Sequence, residues 1–189
     1  MDSYLNKNIY PSGELSLKCI ALGLHRYGDV INFVHQLPYG RNSDRKDFKS
    51  IINENKGTCS TKHAFLKAVA EEQGFESIKL VLGIYKMTAE NTKGISNILL
   101  NTDLDFIPEA HTYLKYDGKR FDLTFPHQRS LAFDTDLLEE YFIQPEAIGS
   151  FKLNTHQNFI KQWILDYEID YSFEEIWTLR EACISELST

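Results

Sequence analysis

The sequence predicts an α+β protein with an N-terminal helical part, a central antiparallel sheet and C-terminal helices. Three observations carry that prediction. Apolar residues recur at helical spacing up to about Gly74. From Ile78 the pattern changes to short runs of β-formers, two of which flank Asp117-Gly118. Helical spacing then returns from about Asn154 to Leu187. Helices, strands and helices in blocks indicate segregated layers rather than alternating βαβ units.

Each element has a local reason. Ser12 can cap a helix carrying Leu15, Leu17, Ile20, Ala21 and Leu24. Asp29 can cap another with Val30, Ile31, Phe33, Val34 and Leu37, which Pro38-Tyr39-Gly40 stops. Ser43 or Asp44 opens a short third, with Phe48, Ile51 and Ile52 on one face, ended by Gly57. A fourth runs from Cys59 to Gln73 behind Thr58, with Ala64, Phe65, Ala68 and Val69 as its stripe and Gly74 as its stop. Residues 78–85 read as a buried strand, 95–100 as a short helical piece, and 110–116 with 119–125 as a hairpin. Beyond Pro126 no element is assigned until Asn154 or Thr155, which caps a helix with Phe159, Ile160, Trp163, Ile164 and Tyr167. Ser172 and Glu175 form a capping box ahead of Ile176, Trp177, Cys183, Ile184 and Leu187. The two tryptophans, on helix faces, read as core packing.

Composition bounds the function. The 189 residues are 42% hydrophobic and 25% charged, with no linker or repeat, which predicts one globular domain over 1–189. This excludes a disordered chain, a collagen-like fibre and a coiled coil. No run approaches the roughly 18 apolar residues of a membrane span, and the first residues lack the basic-then-apolar order of a secretory signal. A net charge of −7 without a Lys/Arg block argues against a phosphate-binding groove, so neither nucleic acid nor membrane is an expected partner. Cys19, Cys59 and Cys183 are odd in number and widely spaced, fitting neither a disulfide framework nor a CxxC motif. A cytoplasmic location follows as the expectation.

The peptide Gly57-Thr58-Cys59-Ser60-Thr61-Lys62-His63 carries the chemistry. With Thr58 as N-cap, Cys59 falls in the first turn, where unpaired N–H groups and the helix dipole favour a thiolate. Lys62 and His63 add charge one turn on, with His63 on the helix surface. A thiolate nucleophile needs an acid–base partner, usually histidine, and that ring needs an orienting group. With Asp117 and Gly118 as the central turn residues, Tyr116 opposes Lys119, Tyr113 opposes Asp122 and His111 opposes Thr124. His111 and Asp122 are then diagonal neighbours on the more polar face, within side-chain reach, while Leu114, Tyr116, Phe121 and Leu123 form the packed face. Cys59 as nucleophile, His111 as acid and base and Asp122 as orienter make a candidate triad. The oxyanion donor is left among the Cys59 N–H, Gln36 and Tyr39, with His63 in support. No cofactor and no metal are expected.

Gly-Thr-Cys-Ser at a helix start, then Ala-His-Thr-Tyr-Leu, then Phe-Asp-Leu-Thr resembles the transglutaminase-like superfamily, over about residues 30–126. The resemblance implies a papain-like core with a helical C-terminal extension over about 150–187, and the same roles for Cys59, His111 and Asp122. It implies thiol-dependent acyl transfer on a peptide, protein or small amide. The His111–Asp122 interval is shorter than in many members, and no tryptophan lies near the motifs. The missing tryptophan, and the lack of anything resembling the extra β-domains or calcium loop of crosslinking members, put crosslinking in doubt. With no feature that excludes water or builds an acceptor tunnel, hydrolysis by a peptidase or amidase is preferred. Two other readings stand beside it: a non-catalytic binding module on the same fold, and a zinc site from Cys59, His63, His111 and Glu109. Specificity falls to residues 88–97, 101–108 and the segment after Pro126.

Overall fold

The computed structural model describes residues 2–92, 95–126 and 133–187. Parts of two expected specificity segments, residues 93–94 and 127–132, lie outside the described residues. The architecture is mixed α+β. The helical N-terminal part comprises α1 (Asp2–Leu5), α2 (Glu14–Ala21), α3 (Tyr27–Gln36), α4 (Ile51–Glu54) and α5 (Cys59–Glu72). A four-stranded sheet follows, from β1 (Lys79–Met87), β2 (Ile107–Tyr116), β3 (Lys119–Phe121) and β4 (Leu137–Ile143), with the short α6 (Ser96–Leu99) between β1 and β2. Helices α7 (Ser150–Asp166) and α8 (Phe173–Glu186) close the chain. Strand order is β3-β2-β1-β4, and every pair is antiparallel.

Both faces of the sheet are covered, which explains the near-continuous apolar run of β1. On one face Leu80, Leu82, Ile84, Ala110 and Leu114 pack against Phe65, Leu66 and Val69 of α5 and against Val30 and Val34 of α3. On the other, Val81, Tyr85, Met87, Ile107 and Tyr113 meet Ile160 and Trp163 of α7 and Ile176, Cys183 and Ile184 of α8. The side-chain alternation of the strands sorts neighbouring residues into the two cores. The expected division of the hairpin into a packed and a polar face is therefore corrected: Tyr113, placed on the polar side, is fully buried. Gly83, paired with His111 in the ladder, makes room for it, because a Cβ there would approach the Tyr113 ring to 2.9 Å.

The hairpin register is the one that the turn chemistry implies. Asp117 and Gly118 have φ of 48° and 73°, and Tyr116 pairs with Lys119, Lys115 with Arg120 and Leu114 with Phe121. The β3 ladder stops there, so β2 outruns its partner and keeps an open edge toward Pro108.

Element ends differ from the sequence reading for identifiable reasons. Helix α3 starts at Tyr27, and Asp29 serves its cap from inside, accepting from the Arg26 N–H at 2.9 Å. Asp47, rather than Ser43 or Asp44, caps the Phe48–Ser50 turn that leads into α4, and Asn55 at φ 50° ends that helix before Gly57. Helix α7 begins at Ser150, a full turn before Asn154.

Candidate active site

Cys59 is the first residue of α5. Thr58 caps the helix reciprocally with Thr61: the Thr61 N–H donates to the Thr58 hydroxyl at 3.4 Å and the Thr58 N–H to the Thr61 hydroxyl at 2.9 Å. This holds the sulfur against the open edge of β2. There the Thr112 N–H, which β3 is too short to engage, lies close enough to the sulfur to favour the thiolate.

His111 projects from β2 toward the same point. Its Nε2 is bonded to Asp122 Oδ2 at 2.9 Å, which leaves Nδ1 as the nitrogen for the sulfur. The ring lies close enough to Cys59 for each group to shift the other toward its charged form. Tyr85, Tyr113 and Phe133 surround the ring, with centroids 6.2, 6.1 and 4.8 Å away. His111 and Asp122 are nearly closed to solvent, at 13% and 8% side-chain exposure. The structure thus brings together the three residues that the sequence selects.

The charges follow from these contacts. Burial pushes the Cys59 thiol up, but the Lys152 ammonium, the His111 ring and the Thr112 N–H outweigh it and hold it at about 6. Burial lowers the His111 ring, yet the carboxylate of Asp122 and the thiolate raise it to about 10. At neutral pH the pair is therefore thiolate and imidazolium. Asp122 is held well below the usual carboxylate range: burial opposes this, but the His111 ring and the Thr124 hydroxyl prevail.

Asp122 lies just past β3, in irregular backbone, and three side chains fasten that backbone. The Leu123 N–H donates to His63 Nε2 at 2.8 Å. Lys62 Nζ donates to the Leu37 carbonyl at 2.5 Å and the Thr124 carbonyl at 2.7 Å. His35 Nε2 bonds the Phe125 carbonyl at 2.9 Å. Thr124 also donates both its N–H, at 3.0 Å, and its hydroxyl to Asp122 Oδ1.

His63 is corrected by this geometry. It is fully buried rather than on the helix surface, and its Nδ1 bonds the Cys59 carbonyl at 2.7 Å. Since Nε2 must accept from Leu123, Nδ1 must donate, so the ring is neutral. Burial lowers it to about 4, and it brings no charge to the site. The Tyr39 ring packs against Phe125 with centroids 4.9 Å apart, close enough to Cys59 that the thiolate adds to burial in raising its hydroxyl pKa. Gln36 is exposed in the last turn of α3 and enters none of the hydrogen bonds described among these residues.

Lys152, in the first turn of α7, is the site residue that the sequence reading missed. Its Nζ lies 2.7 Å from Ser60 Oγ and 3.8 Å from Cys59 Sγ, and Ser60 continues to Thr112 Oγ1 at 3.3 Å. The residue stands 93 positions from Cys59 in a turn not read as helix, so no local spacing signals it. The donor set weighed for zinc is already committed: both His63 nitrogens are used, and Glu109 makes paired 2.6 Å contacts to Arg180. Among the described residues, no three His, Cys, Asp or Glu side chains cluster as ligands. No family model, curated protein or solved structure matches the chain.

Proposed function

We propose that the protein is a thiol-dependent acyl-transfer enzyme on a papain-like, transglutaminase-like core, acting on a peptide, protein or small amide. Cys59 attacks the amide carbonyl as the thiolate. His111 gives its Nδ1 proton to the leaving amine, and the acyl group stays on sulfur as a thioester. The neutral ring then takes a proton from water, which makes the reaction a hydrolysis by a peptidase or amidase. Asp122 holds the ring through Nε2 and balances its positive charge. The observation that supports this reading most is the position of His111, between a sulfur at a helix N-terminus and a buried carboxylate.

The test uses p-nitrophenyl acetate, with nitrophenolate release followed alongside the intact mass. The expected result is a single acetyl group mapped to Cys59 and then released by the wild-type protein. In His111→Ala, acylation at pH 7 falls by about 10²–10⁴-fold, and the iodoacetamide titration of Cys59 moves up from about 6. An unmodified Cys59 at neutral pH, or a wild-type thiol that titrates at its ordinary value, would overturn the reading.

A further inference from the structure

We infer that Lys152 is a further catalytic residue of this site, donating a hydrogen bond to the carbonyl oxygen of the acyl group as Cys59 attacks it. The inference rests on the thiol-enzyme reading and names an oxyanion donor beyond the Cys59 N–H.

The first support is valence. An ammonium has three donors. Ser60 Oγ at 2.7 Å takes one, and Cys59 Sγ at 3.8 Å takes a second weakly. Among the described residues no carboxylate lies within ion-pair distance of Lys152, and Glu109, the acid whose charge it feels, is committed to Arg180. One donor is therefore left over beside the reacting atom. An oxygen on a carbon bonded to Sγ sits two bonds from the sulfur, nearer to it than Nζ is. On the side of the sulfur that faces Lys152 such an oxygen comes within reach of Nζ, and a donor at about 2.7–3.1 Å stabilises an oxyanion.

The second support is placement against local preference. Lys152 stands in the first turn of the 17-residue α7, where the helix dipole disfavours a cation. Its charge therefore adds to the field of that helix end at the point where the N-terminus of α5 already presents Cys59. Both helix ends and the ammonium favour a negative charge at the same place. A side chain that breaks a local rule in this way marks a site with a separate reason to exist. The Thr112–Ser60–Lys152 chain of hydroxyls fixes where the amine points.

The step balances without an outside reagent. The thiolate pair forms the C–S bond, and the carbonyl π pair moves to oxygen, which accepts from Lys152 Nζ and from the Cys59 N–H. When that pair returns, the C–N bond breaks and the amine leaves with the His111 proton. Lys152 keeps its proton throughout.

Two probes separate this role from simple stabilisation of the thiolate. Iodoacetamide alkylates sulfur with no oxyanion, whereas p-nitrophenyl acetate acylates it through one. Both rates are measured for wild type and Lys152→Met at a pH where Cys59 is fully ionised in each. The expected result is alkylation equal within about twofold and acylation reduced about 10²-fold, since one oxyanion donor is worth about 10²–10³-fold. Lys152→Arg, which keeps a cationic donor, recovers part of that loss. An equal change in both rates would overturn the role of Lys152 while leaving the triad intact. A wild-type Cys59 that alkylates but never acylates would instead overturn the enzyme reading. An unchanged circular-dichroism spectrum and thermal transition show separately that the variant is folded.

Discussion

Two imidazoles stand on either side of one carboxylate and behave in opposite ways. His111 Nε2 is 2.9 Å from Asp122 and His63 Nε2 is 3.7 Å from it, and both side chains are almost fully shielded. Burial pushes each ring toward neutrality. His63 follows it, to about 4, because its partners are a backbone carbonyl and a backbone N–H, and an N–H facing Nε2 forbids a second proton. His111 goes the other way, to about 10, because it lies between a carboxylate and a thiolate. Proximity to an acid does not make a catalytic base. What matters is whether the second ring nitrogen faces the reacting atom or the backbone. The same contrast separates structure from chemistry here: His63 fastens the segment that presents Asp122, and His111 uses Asp122.

The sharpest way to break this contrast is Asp122→Asn, which keeps the shape and removes the charge. The acid that lifts His111 most is then gone, so its titration, followed by NMR, moves down from about 10. Asp122 also raises His63, so that ring stays neutral or falls further. Release of acetyl from Cys59 slows by about 10²–10⁴-fold, because the ring loses its orienting partner. Two histidines shifting by the same amount would show that Asp122 acts on them as a diffuse field, and the distinction would collapse.

That contrast was half legible in the sequence. Thr58-Cys59 announces a capped thiol, and Asp117-Gly118 sets a turn register from which the His111–Asp122 neighbourhood follows by counting in twos. Both signals are local, and both survive in the structure. The fate of His63 is not local: four residues beyond Cys59 reads equally as surface or core until the segment after β3 folds over it. Lys152 was illegible for a related reason, since its turn of α7 follows a Gly149 with no side chain to cap it. β4 escaped because its Glu139 and Glu140 are exposed side by side and interrupt the two-residue alternation. Tyr113 was assigned to the wrong environment because only the second core, built by α7 and α8, makes that face dry.

A smaller effect, on stability, sharpens the comparison from the acid side. The folded-state value of His63, about 4, lies below the roughly 6.5 of a free imidazole, so the unfolded chain binds the proton first as pH falls. Its contribution is present above about pH 6.5 and lost as pH drops through 4, in total about 3 kcal/mol. Chemical denaturation at pH 7 and pH 4.5 measures it. His63→Gln, which cannot take the charge, flattens that slope while lowering stability at pH 7. An unchanged acid slope in the variant would mean that His63 is not held neutral.

The alkaline side carries the most specific effect. His111 alone would cost stability as pH rises from about 6.5 toward 10, because the folded state keeps a proton that the unfolded chain has released. Cys59 alone does the reverse from about 6 to 9, since the folded state has lost a proton that the unfolded chain still holds. In the intact pair the proton sits on His111 when folded and on Cys59 when unfolded, so both states bind the same number. The contribution of the pair to wild-type stability is then level between about pH 6.5 and 9. Cys59→Ala removes one side of the exchange but leaves Asp122 to hold the ring protonated, so stability now declines with pH, at most about 1.4 kcal/mol per unit. Parallel slopes in the two proteins would mean that no proton passes between sulfur and ring. A level wild type beside a falling variant is the behaviour of an ion pair that His63, with its backbone partners, cannot imitate.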